Sequence, residues 1–465
     1  MYFVTIQPLS ERRIVADNGR ILKETFTMKT RPSKIISKMS GTFSAFFRSN
    51  TSGGIVLVLC AAAALIWSNS PWSRYYVELW EQQVSIGIGT LQLSKPLLHW
   101  INDGLMVIFF FFVGLEIKRE MLVGELSSLQ KAALPVIAAI GGMIGPALIY
   151  TAFNHHLPDS ANGWGIPMAT DIAFALGILA LLGNRVPAGL KIFLAALAIA
   201  DDMGAVIVIA LFYTQEISLM MLAAGGGFLL LLFAANRWNI RSTAVYTVLG
   251  IGLWFCFLKS GVHATISGVL LAATIPVRSK IDTEQFLKKT ASAVNALERQ
   301  KGSSHENELV HHIAALSEEV QSPLHRFEHA LQPVVAFFIM PVFALANAGV
   351  VIEGSVVDAL VSPVGLGVSL GLIIGKQAGI FSFVWCAVKL NIAELPHSVT
   401  WSMIYATTWL CAIGFTMSLF IAGLAFTTET PLVLSKIAIL ASSTISACAG
   451  FFILSRALNT SQDRL

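Results

Sequence analysis

The chain has 465 residues, 55% of them hydrophobic and 12% charged, against roughly 25% charged in an ordinary soluble domain. Its net charge of +4 comes from basic residues in short loops between apolar runs; they form no contiguous stripe, so nucleic acid is not an expected partner. Cys60, Cys256, Cys386, Cys411 and Cys448 are scattered inside apolar runs without CxxC spacing, which argues against a disulfide framework and a thiolate metal site.

In chain order, residues 1–50 form a basic tail with nine Lys and Arg from Arg12 to Arg48 against three acids, and Met28 and Met39 stand as alternative starts. The tail is too long for the n-region of a secretory signal, so the apolar run that follows is read as a retained span. From residue 51 to 455, apolar runs recur near the roughly 20 residues that a helix needs to cross a hydrocarbon core. The alternation of barrel strands is not seen. Spans are predicted near 53–69, 97–116, 132–153, 164–183, 189–214, 217–235, 242–258, 261–276, 329–350, 363–387, 400–426 and 433–455. The expected fold is therefore an all-α integral membrane protein of about twelve transmembrane helices.

Alternate loops hold Asp159, Glu216, Glu353, Asp358 and Glu429, while the others hold Lys118, Arg119, Lys131, Arg185, Lys191, Arg237 and Arg241. By the positive-inside rule both termini are cytoplasmic, including a short tail at 456–465. The first external loop, around Gly87, Gly89 and Lys95-Pro96, suits a small surface hairpin. The charged stretch at 280–322 is a surface helix or a flexible insert on the cytoplasmic side.

A shift of 241 positions sets IAFALGILAL from Ile172 on IGFTMSLFIA from Ile413, and Ala200-Asp201-Asp202 on Ala441-Ser442-Ser443. Separately, GGMIGPAL from Gly141 resembles GLIIGKQA from Gly371. Three spans in the first half thus repeat in the second, and an odd number of spans per repeat inverts the second copy in the membrane. Lys131 inside and Ser362 outside agree with that inversion.

Asp201 and Asp202, in LAIADDMGAVIVIAL, lie about 17 Å from the end of their span and hence near the midplane. Each buried Asp costs about 2.5–3.5 kcal/mol on insertion scales, so a purely structural role must offset two of them. Adjacent positions on a helix are rotated by about 100°, so one carboxylate faces the cavity and the other a neighbouring helix. Lys376, in GLIIGKQAGIF, is too deep to snorkel, and one of the aspartates is its expected partner. GLIIGKQ also brushes the phosphate-loop pattern, but it is one residue short between its glycines and has Gln377 in place of Ser or Thr, so ATP binding is rejected.

Pro167 and Thr170 interrupt the span that carries Asp171, and Gly414 marks a related break, so two discontinuous helices are expected. Where half-helices meet, Asp171 and Lys376 offset their partly positive and partly negative ends, with Thr170 beside them. Asp103 is placed at the outer interface. Glu116, Lys118, Arg119 and Glu120 lie at the inner end of the same span, Glu328-His329 opens the ninth span at that face, and His263 begins the eighth.

The runs ATDIAFALGILALLG, LAIADDMGAVIVIALFYT, GVHATISGVLLA, PVFALANAGV and IGFTMSLFIAGLAF, with VGLEIKRE, closely resemble the NhaA family of bacterial Na+/H+ antiporters, in order over about residues 50–455. NhaA is itself a standing example of inverted-repeat construction, so the repeat reading is not independent of the resemblance. The resemblance implies two discontinuous helices crossing at the midplane, and a secondary transporter of the bacterial inner membrane rather than an enzyme. It would exchange cytoplasmic Na+ or Li+ for external H+ electrogenically, without a cofactor, by alternating access. By matching motifs, Asp201 and Asp202 bind the cation and carry protons, with Lys376 on Asp201 in the cation-free state and Asp202 the chief Na+ ligand; Asp171 is the aspartate at the crossing. The implied pH-response group is Glu116, Arg119, Glu120, Glu328 and His329, with His263 a further candidate. Gln332 stands where relatives can carry a second His. Membrane lipid and a homodimer through the hairpin complete the expected partners. Intramembrane aspartyl proteases need YD and GxGD motifs, which the sequence lacks. A passive channel would present rings of carbonyls or acids at a pore of repeated subunits.

Overall fold

The computed structural model describes residues 50–88, 91–214, 217–279, 281–299, 306–352 and 354–462. The tail at 1–49 with Met28 and Met39, and Gly89, Glu216, Lys280 and Glu353, lie outside the described residues. Among the described residues the regular secondary structure is helical apart from one hairpin. Helix α1 (Asn50–Ser68) ends before Ser70-Pro71, where the ring restricts the preceding residue to extended conformations. Helix α2 (Ser73–Glu81) then turns away by 113°, so it lies across α1 instead of extending it. Tyr76 on α2 donates its hydroxyl to Leu345 O at 2.8 Å. The expected hairpin is an antiparallel pair, β1 (Gln83–Ile88) on β2 (Leu91–Pro96), with Val84 opposite Lys95.

Among the described residues nine helices, one of them interrupted, are long and apolar enough to cross a membrane. They are α3 (Leu97–Leu122), α4 (Gln130–Asn154), the stretch Pro158–Leu181, α7 (Ala188–Phe212), α8 (Leu219–Arg237), α9 (Thr243–Ser260), α13 (Pro323–Asn347), α15 (Pro363–Lys389) and α18 (Glu429–Thr460). About twelve had been expected. The difference lies in α1, in a span broken into α16 (Trp401–Cys411) and α17 (Phe415–Ala425) with a 44° bend, and in α10 (Thr265–Thr274), which has only ten residues. Lys118 holds the end of α10: its ammonium donates to Ala273 O at 2.7 Å and Ile275 O at 2.5 Å, satisfying carbonyls that a helix end leaves unpaired.

The ninth span starts earlier than the expected 329, because Ser322 accepts from His325 N at 3.2 Å and Pro323 follows at the first helical position. The stretch expected as a surface helix or flexible insert forms two helices, α11 (Thr283–Arg299) and α12 (Glu306–Val320). Between α14 (Val356–Val361) and α15, Ser362 caps the latter by accepting from Gly365 N at 3.0 Å.

The two repeated glycine runs pack on each other. A Cβ on Gly145 would meet the backbone of Gly375, and one on Gly379 would meet the carbonyl carbon of Gly141 at 2.8 Å. Rising numbers on α4 against falling numbers on α15 make the pair antiparallel, as inverted copies require. Small residues let two backbones approach closely in a membrane, so Gly379→Ala is expected to destabilise the protein by about 1–3 kcal/mol. Thermal unfolding of the purified variant checks this; an unchanged Tm would contradict the close approach.

Candidate functional site

The stretch Pro158–Leu181 is broken at its middle. A tight-turned segment, α5 (Asn162–Met168), contains Pro167, and α6 (Ile172–Leu181) starts only after Ala169, Thr170 and Asp171 have left helical geometry. Its counterpart opens between Cys411 and Phe415. The two breaks meet. Thr170 Oγ1 donates to Cys411 O at 2.9 Å, residues 241 apart in sequence, and Asp171 N donates to Ile413 O at 2.7 Å. Ser418 Oγ donates to Ile166 O at 2.7 Å. Backbone groups that no helix satisfies are thus paired across the break, which a non-aqueous surrounding demands.

Asp171, only 1% exposed, sits at the start of both second halves. Oδ1 accepts from Phe174 N at 3.0 Å, and Oδ2 accepts from Thr416 N at 3.2 Å and Thr416 Oγ1 at 2.5 Å. A carboxylate there faces two partly positive helix N-termini. Lys376 supplies the opposite charge: wholly buried on α15 just after a wide turn at Gly371–Gly375, it donates to the Met168 carbonyl at the end of α5. Thr170 is neutral and ties the breaks together without compensating charge. Thr416→Val removes one acceptor contact of Asp171 and is expected to lower stability by about 1–3 kcal/mol. Thermal unfolding checks it, and a variant as stable as the parent would remove Thr416 from this account.

The same ammonium reaches Asp201 Oδ2 at 2.6 Å, closing a fully buried ion pair between α7 and α15. Asp201 and Asp202 fall at the middle of α7, each 1% exposed. They diverge as neighbours on a helix must: Asp201 takes the lysine and Asp202 does not. Oδ1 of each aspartate is buried without a hydrogen-bond partner. Oxygens in that condition are uncommon, because a buried bare carboxylate is costly. Each offers a hard oxygen donor to a proton or a small cation.

Toward the basic end of α3, Arg119 joins Glu328 of α13 and donates to Glu120 Oε1 at 3.0 Å. Glu120 Oε2 accepts from Glu125 N at 3.0 Å. Glu116, half-buried, stands one turn deeper on the same helix. His329 is exposed and packs its ring on His325, with centroids 4.3 Å apart; it is not drawn into the Arg119–Glu328 pair. His263 is not part of this group. It lies at the other end of α3, where its Nε2 stands 3.6 Å from Asp103 Oδ1 and His99 Nε2 stands 2.7 Å from Oδ2. Asp103, expected at the outer interface, bridges two histidines.

Sequence reading missed Thr416, Ser418, Ser443 and the carbonyls of Met168 and Ile413. Ser443 accepts from Phe415 N at 3.1 Å and is the residue that the 241-residue shift sets opposite Asp202. The signal for the hydroxyls was their place in an apolar run next to a break; the carbonyls left none, because any residue carries one.

Interrupted helices crossing beside a buried Asp–Asp–Lys cluster, within antiparallel repeats, define a multi-spanning membrane protein on the secondary-carrier plan. The chain belongs to the Na+/H+ antiporter 1 family, whose match covers residues 44–454. It is 47% identical to the Na(+)/H(+) antiporter NhaA of Koribacter versatilis, over 95% of this chain and 97% of that one. Identity is 48% to the protein of the same name from Oleidesulfovibrio alaskensis, over 90% and 94%, and 44% to that of Haemophilus ducreyi, over 89% and 96%.

Proposed function

We propose that this protein is a transporter that exchanges cytoplasmic Na+ or Li+ for external H+ across a bacterial inner membrane, with both termini cytoplasmic. The observation that carries this reading is the pair of partnerless carboxylate oxygens on Asp201 and Asp202 beside Lys376. In a low-dielectric site these carboxylates are neutralised by a proton or by a cation, and competition for the same oxygens couples the two fluxes. Asp202 is the chief cation ligand. Asp201 alternates between Lys376 and the cation, and Asp171 keeps the crossing neutral as the site faces each side in turn. More protons enter than Na+ leaves, so exchange is electrogenic. A homodimer through β1–β2 belongs to the same reading.

Inverted membrane vesicles holding a ΔpH and a pH dye test this. NaCl and LiCl are expected to dissipate the gradient and KCl to leave it, whereas dissipation by all three salts, or by none at any pH, would contradict the exchanger.

The group formed by Arg119, Glu120 and Glu328, with Glu116 one turn deeper, sets the pH response; His329 adjoins it, and His263 contributes separately from the other end of α3. Removing the Glu328 charge frees Arg119 to act on Glu116, so Glu328→Gln is expected to move the pH of half-activation by roughly 0.5–1 unit. The same vesicle assay across a pH series checks it, and an unshifted profile would assign the pair a structural role.

A further inference from the structure

A cavity lined by no residue of the buried cluster lies between α15, α16 and α18. Phe381, Trp401, Tyr405 and Ile453 wall a space of about 440 Å3, and Ser402 and Arg456 complete its polar side. The Phe381 ring meets Trp401 at 5.8 Å and Tyr405 at 5.9 Å between centroids, both edge to face. Trp401 and Tyr405 are 36% and 41% exposed, so the aromatic wall is reached from outside the bundle. The cavity sits near helix ends: Trp401 is the first residue of α16, and Arg456 precedes Thr460, where α18 ends, by one turn. Trp and Tyr concentrate at that level, where hydrocarbon gives way to headgroups.

Arg456 is exposed, and no carboxylate among the described residues pairs with its guanidinium. The next cation along, Arg185, donates to Asn459 Oδ1 at 3.4 Å, a neutral partner. Lys389, at the end of α15, stands 4.5 Å over the Trp385 ring. Glu394, the one acid in the loop from α15 to α16, pairs with none of the three. This corner of the protein is therefore positive. Arg binds phosphate with two parallel N–H donors, and the aromatic wall beside it suits hydrocarbon. A soluble phosphate would leave that wall empty, and a zwitterionic headgroup would add an ammonium to three cations. We propose that this cavity binds the headgroup of an anionic phospholipid, its phosphate on Arg456 and the top of an acyl chain against Phe381, Trp401 and Tyr405. The charge rule that places both termini in the cytoplasm assigns this lipid to the cytoplasmic leaflet. The site is independent of what the aspartates carry. Its occupant ties α16, the first half of the broken span, to α15 and α18.

Two probes test this, phosphatidylglycerol and phosphatidylcholine carrying the same diazirine near the top of one acyl chain. The full-length protein in phosphatidylcholine nanodiscs is irradiated with a trace of either, and the adducts are mapped by mass spectrometry. Labelling by the phosphatidylglycerol probe is expected to concentrate at Phe381, Trp401–Tyr405 and Ile453–Arg456, to saturate, and to exceed that by the phosphatidylcholine probe about fivefold. In Arg456→Gln the ratio of the two probes should fall toward one at these residues. Equal labelling by both probes, adducts spread evenly over the lipid-facing helices, or a preference that survives in Arg456→Gln would overturn the proposal. The comparison of the two probes uses the unaltered protein and decides the matter even if the variant does not fold.

Discussion

Asp202→Asn is expected to reduce Na+-driven proton movement by at least about 100-fold while the protein still inserts and unfolds at a normal temperature. The substitution keeps the shape and one acceptor oxygen but removes the charge that offsets a cation at the midplane. Losing a charged partner in a buried site costs on the order of 3 kcal/mol, which is that factor or more. Stability should be spared because Asp202 Oδ1 has no hydrogen-bond partner to lose. Asp171→Asn is expected to be milder for exchange and harsher for stability, because its two oxygens hold Phe174 N, Thr416 N and Thr416 Oγ1. ΔpH dissipation by each variant, read beside its Tm, separates the two roles. Robust exchange by Asp202→Asn, or equal losses in both, would sink the division.

Lys376→Met carries the second large effect, and here stability is the readout. The variant leaves Asp201 buried without the ammonium that now stands 2.6 Å away, and it frees the Met168 carbonyl at the end of α5. Breaking a buried pair from one side costs about 3–5 kcal/mol, so a large fall in Tm is expected at pH 8. Thermal unfolding of parent and variant at that pH checks this, and an unchanged Tm would show that the ion pair does not hold α7 to α15.

Much of this was legible in the sequence because lipid makes polar residues conspicuous. Asp201, Asp202, Asp171 and Lys376 stand out in long apolar runs, and Pro167 and Gly414 mark the breaks. The pairing of Lys376 with Asp201 rather than Asp202 did not follow from the residues alone, since a 100° rotation per residue says that they diverge but not which way. Composition does not show that α10 stops at ten residues. His263 is a further candidate for the pH response, and the chain turn between α9 and α10 puts it beside Asp103, at the opposite end of α3 from Glu328. The Met168 and Ile413 carbonyls that complete the crossing are backbone groups, and no side-chain pattern announces them.

The central claim is that proton and cation compete for the same buried oxygens. The most direct test is to add NaCl to the purified protein in weakly buffered solution containing a pH dye, with choline chloride as the ionic control. Proton release that saturates with Na+, occurs only in the pH range where exchange is active, and disappears in Asp202→Asn is the predicted result. Na+ binding without proton release, or release that persists in that variant, would contradict the account.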